Sequence, residues 1–202
     1  MTELAQSYLG TGASPRWRQS NATFEDTRRP PDKSSAVEDR VQGLKAAAGD
    51  ISWSGDRGRS AAARETLVRG GSFSVPIVLQ AVTELPRPDV QDEAIIILQR
   101  IAEQGGLRPL LESASGSHLA PAARATVARA LGIAHLTSDL ANDAIQALVS
   151  MLSDPSAEVR DAAVAALSDR GGSDARLALE TALRAERVDF VRDAMREAIA
   201  EC

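Results

Sequence analysis

Apolar residues recur at helical spacing along most of this chain, and the clearest stretch is Asp154 to Gly172, DPSAEVRDAAVAALSDRGG. Val159, Ala162, Ala163, Ala166 and Leu167 share one helical face, with charged residues between them. Asp154 suits an N-cap and Pro155 a first turn. Gly171 and Gly172 end the run, because only glycine enters the left-handed region without steric cost. The pattern predicts a turn, a short Ala-rich helix and an abrupt stop.

Weaker copies lie on both sides. Ser35 and Glu38 fit a capping box ahead of the stripe Val37, Val41, Leu44 and Ala48. A second helix is expected over 57–69, with Ala61, Ala62 and Leu67 apolar and a stop at Gly70-Gly71. Val75, Ile77, Val78 and Val82 mark a third, which Leu85-Pro-Arg-Pro88 breaks before Asp89 caps its partner. That partner should end at Gly105-Gly106. A short helix over 107–114, a helix from Pro121 with a stop at Gly132, and helices over 140–152, 174–183 and 189–200 complete the series. No stretch reads convincingly as a strand.

The copies keep a register. From Arg160, Arg192 lies 32 residues later, Arg124 36 earlier, Gln91 33 before that and Ser60 31 earlier still. A turn, an Arg and a glycine stop held in phase over such a period predict an all-α fold, an α-solenoid of about five antiparallel helix pairs. The approximate repeats are 35–71, 72–106, 107–137, 138–172 and 173–202. Residues 1–34 are polar and rich in Ser, Thr, Arg and Pro, and read as a disordered or loosely packed tail.

Composition narrows the function classes. Of the 202 residues 44% are hydrophobic but only 3% aromatic, so the core is Ala, Leu, Val and Ile, suited to close helix packing. The formal charge of −5 falls on the helical body, because acids and bases nearly balance in the tail, and this argues against a duplex-binding surface. A single cysteine, Cys202, permits no internal disulfide and fits a reducing compartment. No apolar run approaches the roughly 18–20 residues that span a bilayer, and the N-terminus lacks a signal-peptide pattern. A cytoplasmic location is expected.

The pattern D-P-x-x-x-V-R-x-A-A-x-x-A-L-x-x-x-G at 154–172 resembles HEAT-like repeats of the short bacterial kind, also called the phycobilisome-lyase type. The match continues at 186–199 and 121–132 and fades at 59–71 and 89–105. The resemblance implies stacked helix pairs in a superhelix with a concave face. Such proteins are mostly adaptors and scaffolds, and a few are enzymes.

Arg124, Arg160 and Arg192 share one repeat position. The resemblance places this Arg at the start of the second helix, reaching an acidic turn residue of a neighbouring repeat. Asp154 and Glu186, each six residues before an Arg, fit that role, while Leu85 and His118 interrupt the series. The functional alternative is a clamp for an anion or carboxylate. Asp92, Glu93, Glu158, Asp161, Asp169 and Asp193 lie on or beside the second helices, as a solvated face or as acidic stripes facing a basic partner. Ile96, within Ile95-Ile96-Ile97-Leu98, marks a contact patch if exposed. Trp17, flanked by Arg16 and Arg18, and Trp53, in a turn-rich connection, are candidate docking aromatics.

Catalysis finds no constellation. His118 and His135 are isolated, neither forms a metal-binding pair with a second His or Glu, and no base is placed beside a nucleophile. Neither a metal nor a cofactor is expected. The expected function is a non-enzymatic protein-binding module, whether adaptor, scaffold, assembly factor or immunity-like inhibitor, that holds another protein in the solenoid groove. A phycobilin-lyase-like enzyme or chaperone is the alternative, to be recognised by a spectral change on mixing with bilin. Nucleic-acid binding through the three arginines is a weaker one. The last helix sets Phe190, Val191, Met195 and Ile199 among charges, which leaves stacking on another copy open.

Overall fold

The computed structural model describes residues 33–51, 57–116 and 118–201. The tail 1–32 with Trp17, and Trp53 in its connection, lie outside these residues. Among the described residues ten α-helices follow in order: α1 (Lys33–Gly49), α2 (Arg57–Gly70), α3 (Ser74–Glu84), α4 (Pro88–Ile101), α5 (Leu107–Ala114), α6 (Pro121–Ile133), α7 (Ser138–Met151), α8 (Ala157–Arg170), α9 (Ser173–Leu183) and α10 (Asp189–Glu201). They form five pairs. The described residues contain no strand. The chain is an all-α solenoid.

The second helices α2, α4, α6, α8 and α10 stack in sequence order, each on the next, most closely at α6 and α8, and from α4 onwards more closely than the first helices do. Among the first helices α1 meets α3, α5 meets α7 and α7 touches α9, whereas α3 and α5 barely meet, and α3 packs on α6 instead. Tight spacing on one side and splay on the other bend the array. The second helices therefore line its inner side.

Small side chains make the tight side possible, because the distance between helix axes is set by the residues at the contact. Ala123, Ala128, Ala162, Ala163 and Ala166 are all buried on α6 and α8. Gly132 takes part in this contact. A Cβ built there would stand 2.8 Å from both the Cα and the Cβ of Ala166. Gly132 is thus not the helix stop that its place in sequence suggests, since α6 runs on through Ile133.

α8 follows the expected pattern on its apolar face: Val159, Ala162, Ala163, Ala166 and Leu167 are all buried. Its ends are shifted. Asp154 and Pro155 precede the helix, Ser156 takes the N-cap position, and Asp154 accepts the Ser156 N–H at 2.8 Å. Gly171 and Gly172 close it with φ of 63° and 91°. Similarly, α4 begins at Pro88, so Asp89 lies in the first turn rather than at the cap. α1 begins at Lys33, so Ser35 lies inside the helix rather than heading a capping box. On α1 the stripe is only half used: Leu44 and Ala48 are buried, but Val37 is 51% exposed. Ala61 and Ala62 of α2 are exposed as well, and Ala63, Leu67 and Val68 carry its buried face.

Candidate partner-binding face

A run of ion pairs crosses from repeat to repeat. Arg124 of α6 grips Asp154 with both arms of its fork, Nε–Oδ2 and Nη2–Oδ1 each at 2.8 Å, while Nη1 donates to the Leu119 carbonyl. Arg160 of α8 grips Glu186 the same way, at 2.7 and 2.9 Å, and its Nη1 donates to the Asp154 carbonyl at 2.9 Å. Each acid also ties down its own turn. Glu186 accepts the Arg187 and Val188 N–H groups, both at 2.8 Å. Paired forks of this kind combine charge with fixed geometry.

The carboxyl groups register the contact. The Arg160 fork, aided by the Val188 and Arg187 N–H groups, overrides burial and pulls Glu186 down to about 2. Burial pushes Asp154 up, but Arg124 and the Ser156 N–H outweigh it and hold that carboxyl below its ordinary value. Both guanidinium forks are therefore filled by the following repeat. Neither is open to an external anion.

Two further ion pairs join α2 to α4. Arg64 forks onto Glu93, with Nη2–Oε2 at 2.9 Å, and Arg100 meets Glu65 at 2.5 Å. Glu93 is 0% exposed, so it is a buried partner and not part of a solvated face. Sequence reasoning missed this pair because Ser60, with no charge, stands at the register position of α2. A third row lies at the C-terminal ends of the second helices. Arg170 donates to the Leu131 and Ala134 carbonyls, each at 2.9 Å, and Glu103 accepts the His135 N–H at 2.8 Å. The Arg170 contacts satisfy carbonyls that a helix end leaves free.

Acids remain on the exposed side of the second-helix layer. Asp92, Glu158 and Asp169 are exposed and Asp161 half-buried, and none has an ion-pair or hydrogen-bond partner among the described residues. Asp193 pairs with Arg196 of its own helix at 2.6 Å. Arg129 of α6 is half-buried on the same layer. Ile96 is also half-buried and so partly accessible, while Ile97 and Leu98 fill the core. The structure thus brings Asp92, Asp161, Asp193 and Ile96 onto one layer and commits Arg124 and Arg160 to the inter-repeat pairs.

The splayed first helices leave grooves of their own. One of about 560 Å³ lies between α7 and α9, lined by Ile145, Val149, Leu152, Leu177 and Ala178 among others. Another of about 290 Å³ lies between α3 and the loop before α6, where His118 stands. Among the described residues no three His, Cys, Asp or Glu side chains gather at metal-binding spacing. No described helix is long and apolar enough to cross a membrane.

Comparison with known proteins agrees with this architecture. The family model for HEAT repeats matches residues 120–200. A chain from the complex of CpcE and CpcF of phycocyanin lyase from Nostoc sp. PCC7120 shares the fold, with 22% identity, 80% of this chain and 98% of that chain covered, and a TM-score of 0.52. A designed armadillo repeat protein aligns at 18% identity, over 86% of this chain and 95% of that one, with a TM-score of 0.44. No curated protein matches the chain.

Proposed function

We propose, from the premise that residues 120–200 are HEAT repeats, that this chain is a non-enzymatic module that binds a segment of another protein on its inner face. The observation that supports this reading is the division of charge there. Arg64, Arg124 and Arg160 are spent on acids of the adjacent repeat, while Asp92, Glu158, Asp161 and Asp169 are left without partners among the described residues. A face with that balance suits a segment carrying Lys or Arg. Ile96 offers it an apolar anchor. Exposed charges of this kind speed association and select partners more than they add affinity, and salt weakens them. An adaptor, an assembly factor and an inhibitor would all use the face in this way.

The test is capture from native lysate on the immobilised intact chain, compared with a variant carrying Asp92→Lys, Glu158→Lys and Asp161→Lys, both checked for helicity by circular dichroism. Proteins identified by mass spectrometry should stay on the parent, elute at moderate salt and be lost from the variant. The reading fails if the same proteins stay on both, or if neither retains any.

A further inference from the structure

The outer face of α10 repeats a surface that elsewhere in the array is occupied. Aligning the second helices on Arg124, Arg160 and Arg192 sets Ser60 of α2 level with Arg192 of α10. Arg64 and Glu65 of α2 then stand level with Arg196 and Glu197 of α10. On α2 this Arg-Glu pair receives the next second helix: Arg64 holds the buried Glu93, and Glu65 takes Arg100. On α10 both residues are exposed. Arg196 reaches only Asp193 of its own helix, and Glu197 has no partner among the described residues.

Arg192 adds a second, independent sign. It occupies the position from which Arg124 and Arg160 grip the turn carboxylate of the following repeat. Its Nε is buried with no hydrogen-bond partner, and its Nη2 reaches only Asp189, three residues back on the same helix. A buried donor without an acceptor is costly, and the other two arginines show which acceptor fits. Phe190 beside it is 55% exposed, an apolar contact that nothing among the described elements covers.

We infer that the outer face of α10 docks an acidic helix of a partner chain. The array's own contacts specify that helix. A carboxylate in its leading turn meets Arg192, as Asp154 and Glu186 meet Arg124 and Arg160. A Glu eight residues later meets Arg196, as Glu93 meets Arg64, with Glu93 eight residues after position 85, the turn position of its own repeat. An Arg seven residues further on meets Glu197, as Arg100 meets Glu65. This surface is separate from the inner face and does not rest on the function proposed for it.

The probe is a fluorescein-labelled peptide of residues 85–104 carrying Leu85→Asp, which holds all three charges at these spacings. It is titrated with the intact chain and followed by fluorescence anisotropy. Binding should saturate and should weaken at least tenfold with Arg192→Gln or Arg196→Glu in the chain. Changing the peptide's Glu93→Arg should recover binding to the Arg196→Glu chain. The inference is overturned if binding does not saturate, if it ignores both substitutions, or if the exchanged charges fail to recover it. Self-association of the chain that Arg196→Glu abolishes, with no peptide bound, also overturns it, in favour of a second copy on this face.

Discussion

Replacing Glu186 by Gln removes the charge from the pair that joins α8 to the turn between α9 and α10, while keeping the shape of the side chain. In the folded chain this carboxyl sits at about 2, against an ordinary value of 4.5. At about 1.4 kcal/mol for each pH unit, the difference corresponds to about 3 kcal/mol of stabilisation. Both side chains are well covered, Arg160 at 14% and Glu186 at 4% exposure, so solvent screening removes little of it. The sign follows from the direction. A carboxyl depressed in the folded state stabilises fully above the unfolded value, and that contribution fades as pH falls towards 2. Parent and Glu186→Gln are unfolded in urea, followed by far-UV circular dichroism from pH 7 to pH 2.5. The gap between them should be about 3 kcal/mol at pH 7 and should close steadily below about pH 4.5. Hydrogen exchange should place the loss in 173–201, the segment the rung ties down, and leave 57–101 unchanged. A gap that stays constant with pH, or one below about 1 kcal/mol at pH 7, would refute the reasoning.

Gly132→Ala should cost about 1–3 kcal/mol in thermal melts, because the added methyl meets Ala166 backbone and side chain at 2.8 Å. An unchanged melting temperature would mean that α6 and α8 separate readily. Leu167→Ala, at a fully buried position, should cost ~2–5 kcal/mol in urea unfolding, and a loss under about 1 kcal/mol would contradict its place in the core. Glu93→Gln strands Arg64 beside a buried neutral group and should cost ~3–5 kcal/mol, whereas Asp161→Asn, without a partner, should stay within about 0.5 kcal/mol. Similar losses for the two would show that Glu93 is not the buried one.

The helix pairs were legible because three local signals coincided in α8: small apolar residues at helical spacing, an acidic turn before them, and Gly171-Gly172 after them. The partners of Arg124 and Arg160 could be named because the resemblance to HEAT-like repeats implies an acidic turn residue of the neighbouring repeat, and Asp154 and Glu186 recur at that turn position. Glu93 could not. Asp92 and Glu93 are neighbours whose side chains leave the helix about 100° apart, and only the position of Arg64 on the adjacent helix decides which is buried. Gly132 misled for a related reason: a glycine near a helix end reads as a stop, yet here its missing side chain serves a neighbour 34 residues away. Val37 sits on a correct stripe, but among the described residues the N-terminal half of α1 has little to pack on. Which acids stay unpartnered depends on every contact around them, and no single stretch of sequence carries that.

The break between α3 and α5 leaves the outer layer discontinuous. Links in series share a load, and the softest link takes most of the displacement. The stack from α6 to α10 is stiffened by the Ala and Gly contact and by two arginine rungs. Across the break, by contrast, the outer layer offers almost no contact, and the packing of α4 and α3 on α6, with the Glu103–His135 hydrogen bond, joins the two parts. The outer layer therefore resists bending least there. Were the α1–α4 portion to turn against the α6–α10 body, the width of the inner face would change with that angle while the acids of α8 kept their positions.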